Sequence, residues 1–142
     1  MADMKTLREF LNRRYNCAQA ILAAGLKAAG EENPALIRAA AGLGSGLGGC
    51  GRNCGALTGA VCLLGLHAGW ETPEETDSTL NLMAEELVVW FEETYGTIEC
   101  EEITKNRQSV KATFCPKLTE ETYGKAMEIL ENYGFVVPED LI

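Results

Sequence analysis

Cysteine is the residue type whose placement in this chain most clearly indicates chemistry. Four cysteines, Cys17, Cys54, Cys100 and Cys115, lie on separate segments. Cys54 stands directly after a glycine-rich run and directly before an apolar stretch that predicts a helix. The free N–H groups and the dipole of a helix N-terminus favour a thiolate, and Arg52 adds a nearby positive charge. We therefore predict redox or metal chemistry, with Cys54 as the reactive thiol and with its pKa lowered.

The remaining cysteines have weaker signals. Cys50 and Cys54 form a C-x3-C pair, a spacing that can chelate a metal or close a small disulfide, so we take Cys50 as an accessory residue. Arg52 is a second accessory residue, because its positive charge lies near Cys54. Cys62 lies on the apolar stretch, where core packing is the more common role of a cysteine. Three glutamates surround Cys100 and raise its expected pKa, and Cys115 precedes a proline that favours extended backbone. Cys100 and Cys115 therefore fit resolving cysteines better than primary nucleophiles.

Two other motifs carry weaker predictions. The N–H groups of the glycine-rich loop and the N-terminus of the helix after it could hold an anion or a sulfur oxyanion. Residues 44–49 match G-x-G-x-x-G, but the dinucleotide fingerprint needs a preceding strand, which the sequence does not predict. We therefore expect no bound nucleotide cofactor. His67, the one histidine, falls near the far end of the helix that Cys54 begins, so we expect no Cys–His catalytic pair.

Composition bounds the class of protein. The 142 residues fit one domain, and their 46% hydrophobic content is enough for a core. The formal net charge of −9 repels phosphate backbones, so we expect no nucleic-acid partner. The N-terminal residues lack the zones of a signal peptide, and the longest apolar run, Ala56 to Leu66, is too short to span a membrane. We expect a cytoplasmic protein, in which cysteines are more often redox-active or metal-binding than structural disulfides.

Helical spacing dominates the pattern of apolar residues. Those from Leu7 to Leu26 recur at three- and four-residue steps, which predicts one long first helix that contains Cys17 and ends at Gly30. Asn33-Pro34 predicts the start of a shorter second helix. The third helix, from about Cys54 to Ala68, is apolar on nearly all sides and should be buried in the middle of the domain.

Later elements complete an all-α prediction. Further helices are predicted from the capping box at Thr72 to Gly96, around Cys100, over residues 105–114, and from Thr119 to Gly134. We expect a compact single domain over residues 1–142, a bundle of about five to six helices around the central apolar helix. The glycine-rich run at 42–51 should form a loop that turns tightly or approaches another group closely.

The residues around Cys54 resemble a known family. Cys54-Gly55-Ala56-Leu57-Thr58-Gly59 matches the CGAxxG motif of the small redox-active proteins named after the pattern C_GCAxxG_C_C. Cys17 falls in the upstream position of that pattern, and Cys100 and Cys115 fall in the two downstream positions. The resemblance extends from the first helix to Cys115, so it implies a single domain of this type. It also implies that these four cysteines form the redox site, with Cys50 and Cys62 as extras.

Two functions remain open at this point. In the first, Cys54 attacks a disulfide and another cysteine resolves it, as in a thiol–disulfide oxidoreductase with a thiol, disulfide or other redox partner. In the second, Cys17, Cys54, Cys100 and Cys115 are four thiolate ligands of a metal ion or an iron–sulfur cluster. Disulfide chemistry needs Cα atoms within about 7 Å in pairs. Metal binding needs all four sulfur atoms to converge on one point.

Overall fold

The computed structural model of the protein describes residues 3–135, and the predicted all-α fold is confirmed there. These residues form no β-strand, only one isolated antiparallel bridge between Asn53 and Glu99. The expected domain includes residues 1–2 and 136–142, which lie outside the described residues. The helices are α1 (Met4–Asn12), α2 (Cys17–Ala28), α3 (Pro34–Ala40), α4 (Gly44–Leu47), α5 (Gly55–Ala68), α6 (Thr79–Tyr95), α7 (Cys100–Thr104) and α8 (Gln108–Asn132).

Helix α5 is the central helix, as its all-round apolar character predicts. It packs against α2, α6 and α8. Ala56, Ala60, Leu63 and Leu64 of α5 are fully buried, and they belong to one core cluster with residues of the surrounding helices. None of the helices within residues 3–135 combines the length and the apolar character that crossing a membrane requires.

The long first helix was predicted wrongly, since it is two helices. The chain breaks after α1, where Arg14 adopts a left-handed φ of 69°. Asn16 then caps α2: its side chain accepts the Gln19 backbone N–H, and the Gln19 side chain accepts the Asn16 N–H in return. This capping box makes Cys17 the first residue of α2 and places it at a helix N-terminus, not inside a helix.

The start of the fourth helix and the backbone at Cys115 also differ from the prediction. After Thr72 only a single 3-10 turn forms, Pro73–Glu75, and α6 begins at Thr79. Cys115 is helical, because α8 continues through Pro116 and contains Thr119 in its interior. The Thr119 hydroxyl donates to the Cys115 carbonyl at 2.7 Å. A proline inside a helix costs about 3 kcal/mol, which the packing of a 25-residue helix against the core offsets here.

The glycine-rich run forms a tight turn, as predicted. Ser45 and Gly46, inside the one-turn α4, have φ values of 52° and 71°, and neither is helical. A Cβ on Gly46 would lie 2.5 Å from the Arg52 backbone nitrogen, so no side chain fits there. The turn closes when Arg52 N–H donates to the Gly46 carbonyl at 3.0 Å. This closure returns the chain to the start of α5.

Candidate functional site

The four cysteines of the motif line one cavity. It has a volume of about 230 Å³, and we call it the four-cysteine cavity. Cys17, Cys54, Cys100 and Cys115 reach it from the starts of α2, α5 and α7 and from the middle of α8. The rest of the lining is mainly apolar, with Leu11, Ile103 and Leu118 among its members.

Glycine in the motif lets the first two cysteines approach each other. A Cβ on Gly55 would lie 2.6 Å from the Cys17 sulfur and 2.9 Å from the Leu43 carbonyl oxygen. The sulfur of Cys17 therefore occupies the space that a side chain at Gly55 would need, directly beside Cys54. Only glycine allows this arrangement, because Cβ contacts below about 3 Å are sterically forbidden.

The second glycine of the motif sets the crossing of α2 and α5. A Cβ on Gly59 would lie 2.7 Å from the Ala18 Cα and 2.9 Å from the Ala18 carbonyl oxygen. Gly55 and Gly59 are four residues apart and so share one face of α5, against which the first turn of α2 packs. Sequence reasoning missed this role, although the four-residue spacing of the two glycines was a signal for it.

Backbone hydrogen bonds hold Cys54 next to Cys100. Cys54 N–H donates to the Ile98 carbonyl at 2.7 Å, and Cys100 N–H donates to the Arg52 carbonyl at 2.6 Å. Glu101 N–H donates to the Gly51 carbonyl at 2.9 Å. These bonds join the segment before α5 to the segment that begins α7, so the two cysteines are fixed by the backbone and not by side-chain packing alone.

The prediction of a lowered pKa at Cys54 is wrong. Burial raises the pKa of the Cys54 thiol to about 12, and the neighbouring Cys17 adds to the rise. The N–H groups of Leu57 and Ala56 at the start of α5 act in the opposite direction, although the sulfur makes no regular capping hydrogen bond. Cys54 is only 8% exposed, so desolvation outweighs the helix terminus. Arg52, expected to assist, is exposed and does not line the cavity.

The pKa values of two other cavity thiols are also raised. Burial raises the pKa of Cys17, against which the backbone N–H groups of Ser45 and Ala18 act. Burial, followed by the proximity of Cys17 and Cys100, raises the pKa of Cys115 to about 11, while Lys111 lowers it. Cys17 is the neighbour with the strongest charge effect on both Cys54 and Cys115, so its sulfur lies near both of theirs.

The two extra cysteines lie outside the cavity. Cys50 is exposed in the glycine-rich turn and does not line the cavity. Cys62 is exposed on α5, so the prediction that it packs in the core is wrong. All six cysteines are free, so the C-x3-C pair forms no disulfide in this structure.

Sequence reasoning also missed Asn16 and Lys111, which line the cavity. The Asn16 amide donates to the Ala41 carbonyl at 3.0 Å and so connects the start of α2 to the chain before the glycine-rich turn. The Asn16-x-x-Gln19 capping box was a signal for this position. Lys111 lies four residues before Cys115 on α8, and a helix that includes Cys115 places both on one face.

The spacing of the possible metal ligands bears on the hypothesis of a metal site. Within residues 3–135, no group of three or more histidine, cysteine, aspartate or glutamate side chains is spaced to hold a metal ion. The four thiols share a cavity, but a tetrahedral site requires each sulfur at about 2.3 Å from a zinc ion. Metal binding would therefore require the four sulfur atoms to draw together.

Comparison with known proteins agrees with the motif. No curated protein and no solved structure matches this chain. A family described as "Putative redox-active protein (C_GCAxxG_C_C)" matches residues 15–129. The match covers all four cavity cysteines and both close-approach glycines, Gly55 and Gly59. The chain therefore belongs to the C_GCAxxG_C_C family.

Proposed function

We propose that the protein carries out thiol–disulfide chemistry in the four-cysteine cavity, as a thiol–disulfide oxidoreductase. The observation that carries this proposal is the meeting of Cys17, Cys54, Cys100 and Cys115 in one cavity, although they lie on four separate segments. A structural role would not require four free thiols around one space. Thiol–disulfide exchange requires neighbouring thiols that can pair in turn.

The chemistry that fits the cavity best is a two-electron exchange in which Cys17 and Cys54 end as the disulfide. Both thiols lose their protons, and a disulfide substrate accepts the two electrons and the two protons and leaves as two thiols. The close approach of the Cys17 sulfur to Gly55 supports this pairing, because it puts the sulfur beside Cys54. Burial raises the pKa of both thiols, so the reduced pair gains no stability from ionisation that oxidation would have to overcome.

The role of Cys54 follows from its burial. The sequence favours Cys54 as the thiolate that attacks the substrate first, but an 8% exposed thiol with a raised pKa is a poor first nucleophile. We place Cys54 at the inner end of the exchange, where it attacks Cys17 after Cys17 has entered a disulfide. Cys100, beside Cys54 through the backbone bonds, is the alternative inner partner.

Disulfide mapping under a redox titration tests the function. The purified protein is equilibrated at graded ratios of oxidised to reduced dithiothreitol, and its disulfides are identified by mass spectrometry. We expect one internal disulfide that forms with two-electron behaviour and joins cavity cysteines, with Cys17–Cys54 predominant. Cys50→Ser and Cys62→Ser are matched controls that should leave the titration unchanged. A protein whose cavity cysteines remain reduced while Cys50 oxidises would contradict the proposal.

A metal or iron–sulfur site on the same four cysteines is the second candidate. The observation in its favour is that four thiols, the number in a closed site, share one cavity. Elemental analysis of anaerobically purified protein tests it, with Cys54→Ser as the variant that should lose the metal. Stoichiometric metal that disappears in Cys54→Ser and not in Cys62→Ser would replace the thiol–disulfide proposal.

The partner and compartment follow from the same chemistry. We propose a thiol, a disulfide or another redox compound as the partner, and the net charge of −9 disfavours nucleic acid. We propose a cytoplasmic location, where the thiol pool keeps exposed cysteines such as Cys50 reduced. Cell fractionation with an antibody to the protein tests the location.

A further inference from the structure

We infer that Lys111 makes the four-cysteine cavity selective for small disulfides that carry an anionic group, and that Cys115 is the thiol such a substrate meets first. This inference rests on the proposed thiol–disulfide function and adds the class of substrate. It follows from the position of Lys111, from the charges around the cavity and from the exposure of the cavity cysteines.

Lys111 and Cys115 form the α8 side of the cavity. They lie four residues apart on one helix, so their side chains project from the same face, and both line the cavity. Both side chains are partly exposed, and the adjacent Pro116 is exposed. This side of the cavity therefore meets solvent, whereas Cys54 is 8% exposed on the inner side.

Among the described residues of the lining, Lys111 carries the one full charge. The part of the lining that the structure describes contains no aspartate, glutamate, arginine or histidine. Within residues 3–135, no carboxylate forms an ion pair with Lys111; the pairs there are Arg8 with Glu120 and Lys125 with Glu128. An unpaired lysine at the opening of an apolar cavity provides a binding point for an anion, and the apolar walls weaken screening of that contact.

The net charge of the protein makes this lysine more important. At −9, the chain as a whole repels anions, so a negatively charged substrate gains nothing from long-range attraction. Selectivity for an anion must then come from a short-range contact inside the screening length. Lys111 is the residue positioned to supply that contact beside Cys115.

The exchange balances with the thiols of the cavity. Cys115 is more exposed than Cys54, and Lys111 acts against the rise of its pKa. Its thiolate attacks one sulfur of the substrate disulfide, forms a mixed disulfide and releases the first product thiol, which takes the Cys115 proton. Cys17, which lies near both Cys115 and Cys54, attacks the Cys115 sulfur and releases the second product thiol with the Cys17 proton. Attack by Cys54 on Cys17 then moves the disulfide inward and returns a proton to Cys115. Two electrons pass from the protein to the substrate.

A pair of matched probes tests the inference. Dithiodiglycolate and 2-hydroxyethyl disulfide are small disulfides that differ mainly in that the first carries carboxylates. The rate of mixed-disulfide formation at the cavity cysteines is measured for each, and mass spectrometry identifies the modified cysteine and separates it from the exposed Cys50 and Cys62. The variants are Lys111→Gln and Lys111→Glu, with Lys117→Gln as the control, since Lys117 is exposed on the same helix and does not line the cavity. Circular dichroism checks that each variant is folded.

We expect the ratio of the two rates, anionic over neutral, to fall by roughly three- to ten-fold in Lys111→Gln, the size of one partly screened ionic contact. It should fall further in Lys111→Glu and remain unchanged in Lys117→Gln. Among the four cavity cysteines, the first to form a mixed disulfide should be Cys115. An unchanged ratio in both Lys111 variants, or a first adduct on another cavity cysteine, overturns the inference.

The result also separates this inference from the proposed function. If the rate ratio depends on Lys111 but no internal disulfide follows, the anion site stands and the thiol–disulfide function fails. If an internal disulfide forms and Lys111 has no effect, the function stands and the substrate selectivity fails. Iodoacetate and iodoacetamide, which alkylate Cys115 without any disulfide chemistry, repeat the charge comparison independently of the function.

Discussion

The two ends of α5 are built in different ways. At its N-terminal end, Gly55 and Gly59 carry no side chain. The Cys17 sulfur and the backbone of α2 occupy the space that side chains at these positions would fill. In its C-terminal half, Leu63 and Leu64 are fully buried and fill the core with large side chains. The N-terminal end of α5 brings the thiols together, and the C-terminal half buries large apolar side chains.

The comparison shows that the residues that stabilise the fold and the residues that position the thiols can occupy different ends of one helix. Burial of a leucine side chain stabilises a fold by about 1.5–3 kcal/mol without needing a unique contact. The close approach at Gly55 contributes no such burial, but it fixes where the Cys17 sulfur lies. Substitutions at the two ends should therefore differ in what they damage.

The largest expected effect is at the C-terminal half. Leu64→Ala should lower the free energy of unfolding by about 2–5 kcal/mol, because it removes a fully buried side chain and leaves a cavity. Urea denaturation followed by circular dichroism measures the loss. Leu82→Ala, at a side chain that is 52% exposed, is the control and should change stability by less than about 0.5 kcal/mol. Equal losses in both variants would contradict the assigned burial.

The second prediction compares two glycines of α5. Gly59→Ala should destabilise by about 1–3 kcal/mol, because the new Cβ would meet the Ala18 backbone at 2.7 Å. Gly65→Ala is the matched control: its Cβ would meet only Leu80 Cδ2, at 3.9 Å. Alanine there should stabilise the helix by about 0.5–1 kcal/mol. If both variants are stabilised, α2 does not cross α5 at Gly59.

The third prediction concerns pH. Because burial raises the pKa of Cys54 from 9.0 to about 12, the folded protein keeps a proton that the unfolded chain loses. Stability is therefore complete below pH 9 and should fall as the pH rises towards 12, by roughly 1 kcal/mol between pH 8 and pH 10 from this group. Cys54→Ala should weaken that dependence, while Cys50→Ala, which removes an exposed thiol, serves as the control. Stability that rises over this range would contradict the burial of the thiol.

The smallest effect is a difference in labelling rates. With iodoacetamide at pH 8, the exposed Cys50 and Cys62 should react before Cys54, which is buried at the N-terminal end of α5. In urea the differences should disappear, since all the thiols are then exposed. Mass spectrometry of digested protein gives each rate. Fastest labelling at Cys54 would restore the sequence-based assignment of Cys54 as the most reactive thiol.

Local patterns in the sequence predicted much of the fold. The apolar stretch of α5 and the positive-φ Gly96 that ends α6 follow from composition and from the conformational freedom of glycine. The break before α2 had a local signal in the capping box of Asn16 and Gln19. The helix through Pro116 had none, because tertiary packing outweighs the local preference of proline.

The sequence predicted which cysteines form the candidate site better than it predicted their pKa values. The resemblance identified the cysteines that line the cavity, but the pKa of Cys54 was predicted in the wrong direction. A helix N-terminus can be read from neighbouring residues, whereas desolvation depends on how distant segments cover the sulfur. Lys111 was missed for a related reason: its proximity to Cys115 requires Cys115 to be helical, which the following Pro116 disfavours.

The wide separation of the cavity cysteines along the chain has a consequence for folding. Cys17 and Cys115 are brought together only after the segments between them have closed into helices, so the cavity depends on contacts of long range and assembles late. A chain that is still incomplete on the ribosome has unprotected thiols and no cavity. Oxidation at that stage would join cysteines by nearness in sequence, as in Cys50 with Cys54. The proposed pairing of cavity cysteines is therefore available only to a chain that has already folded.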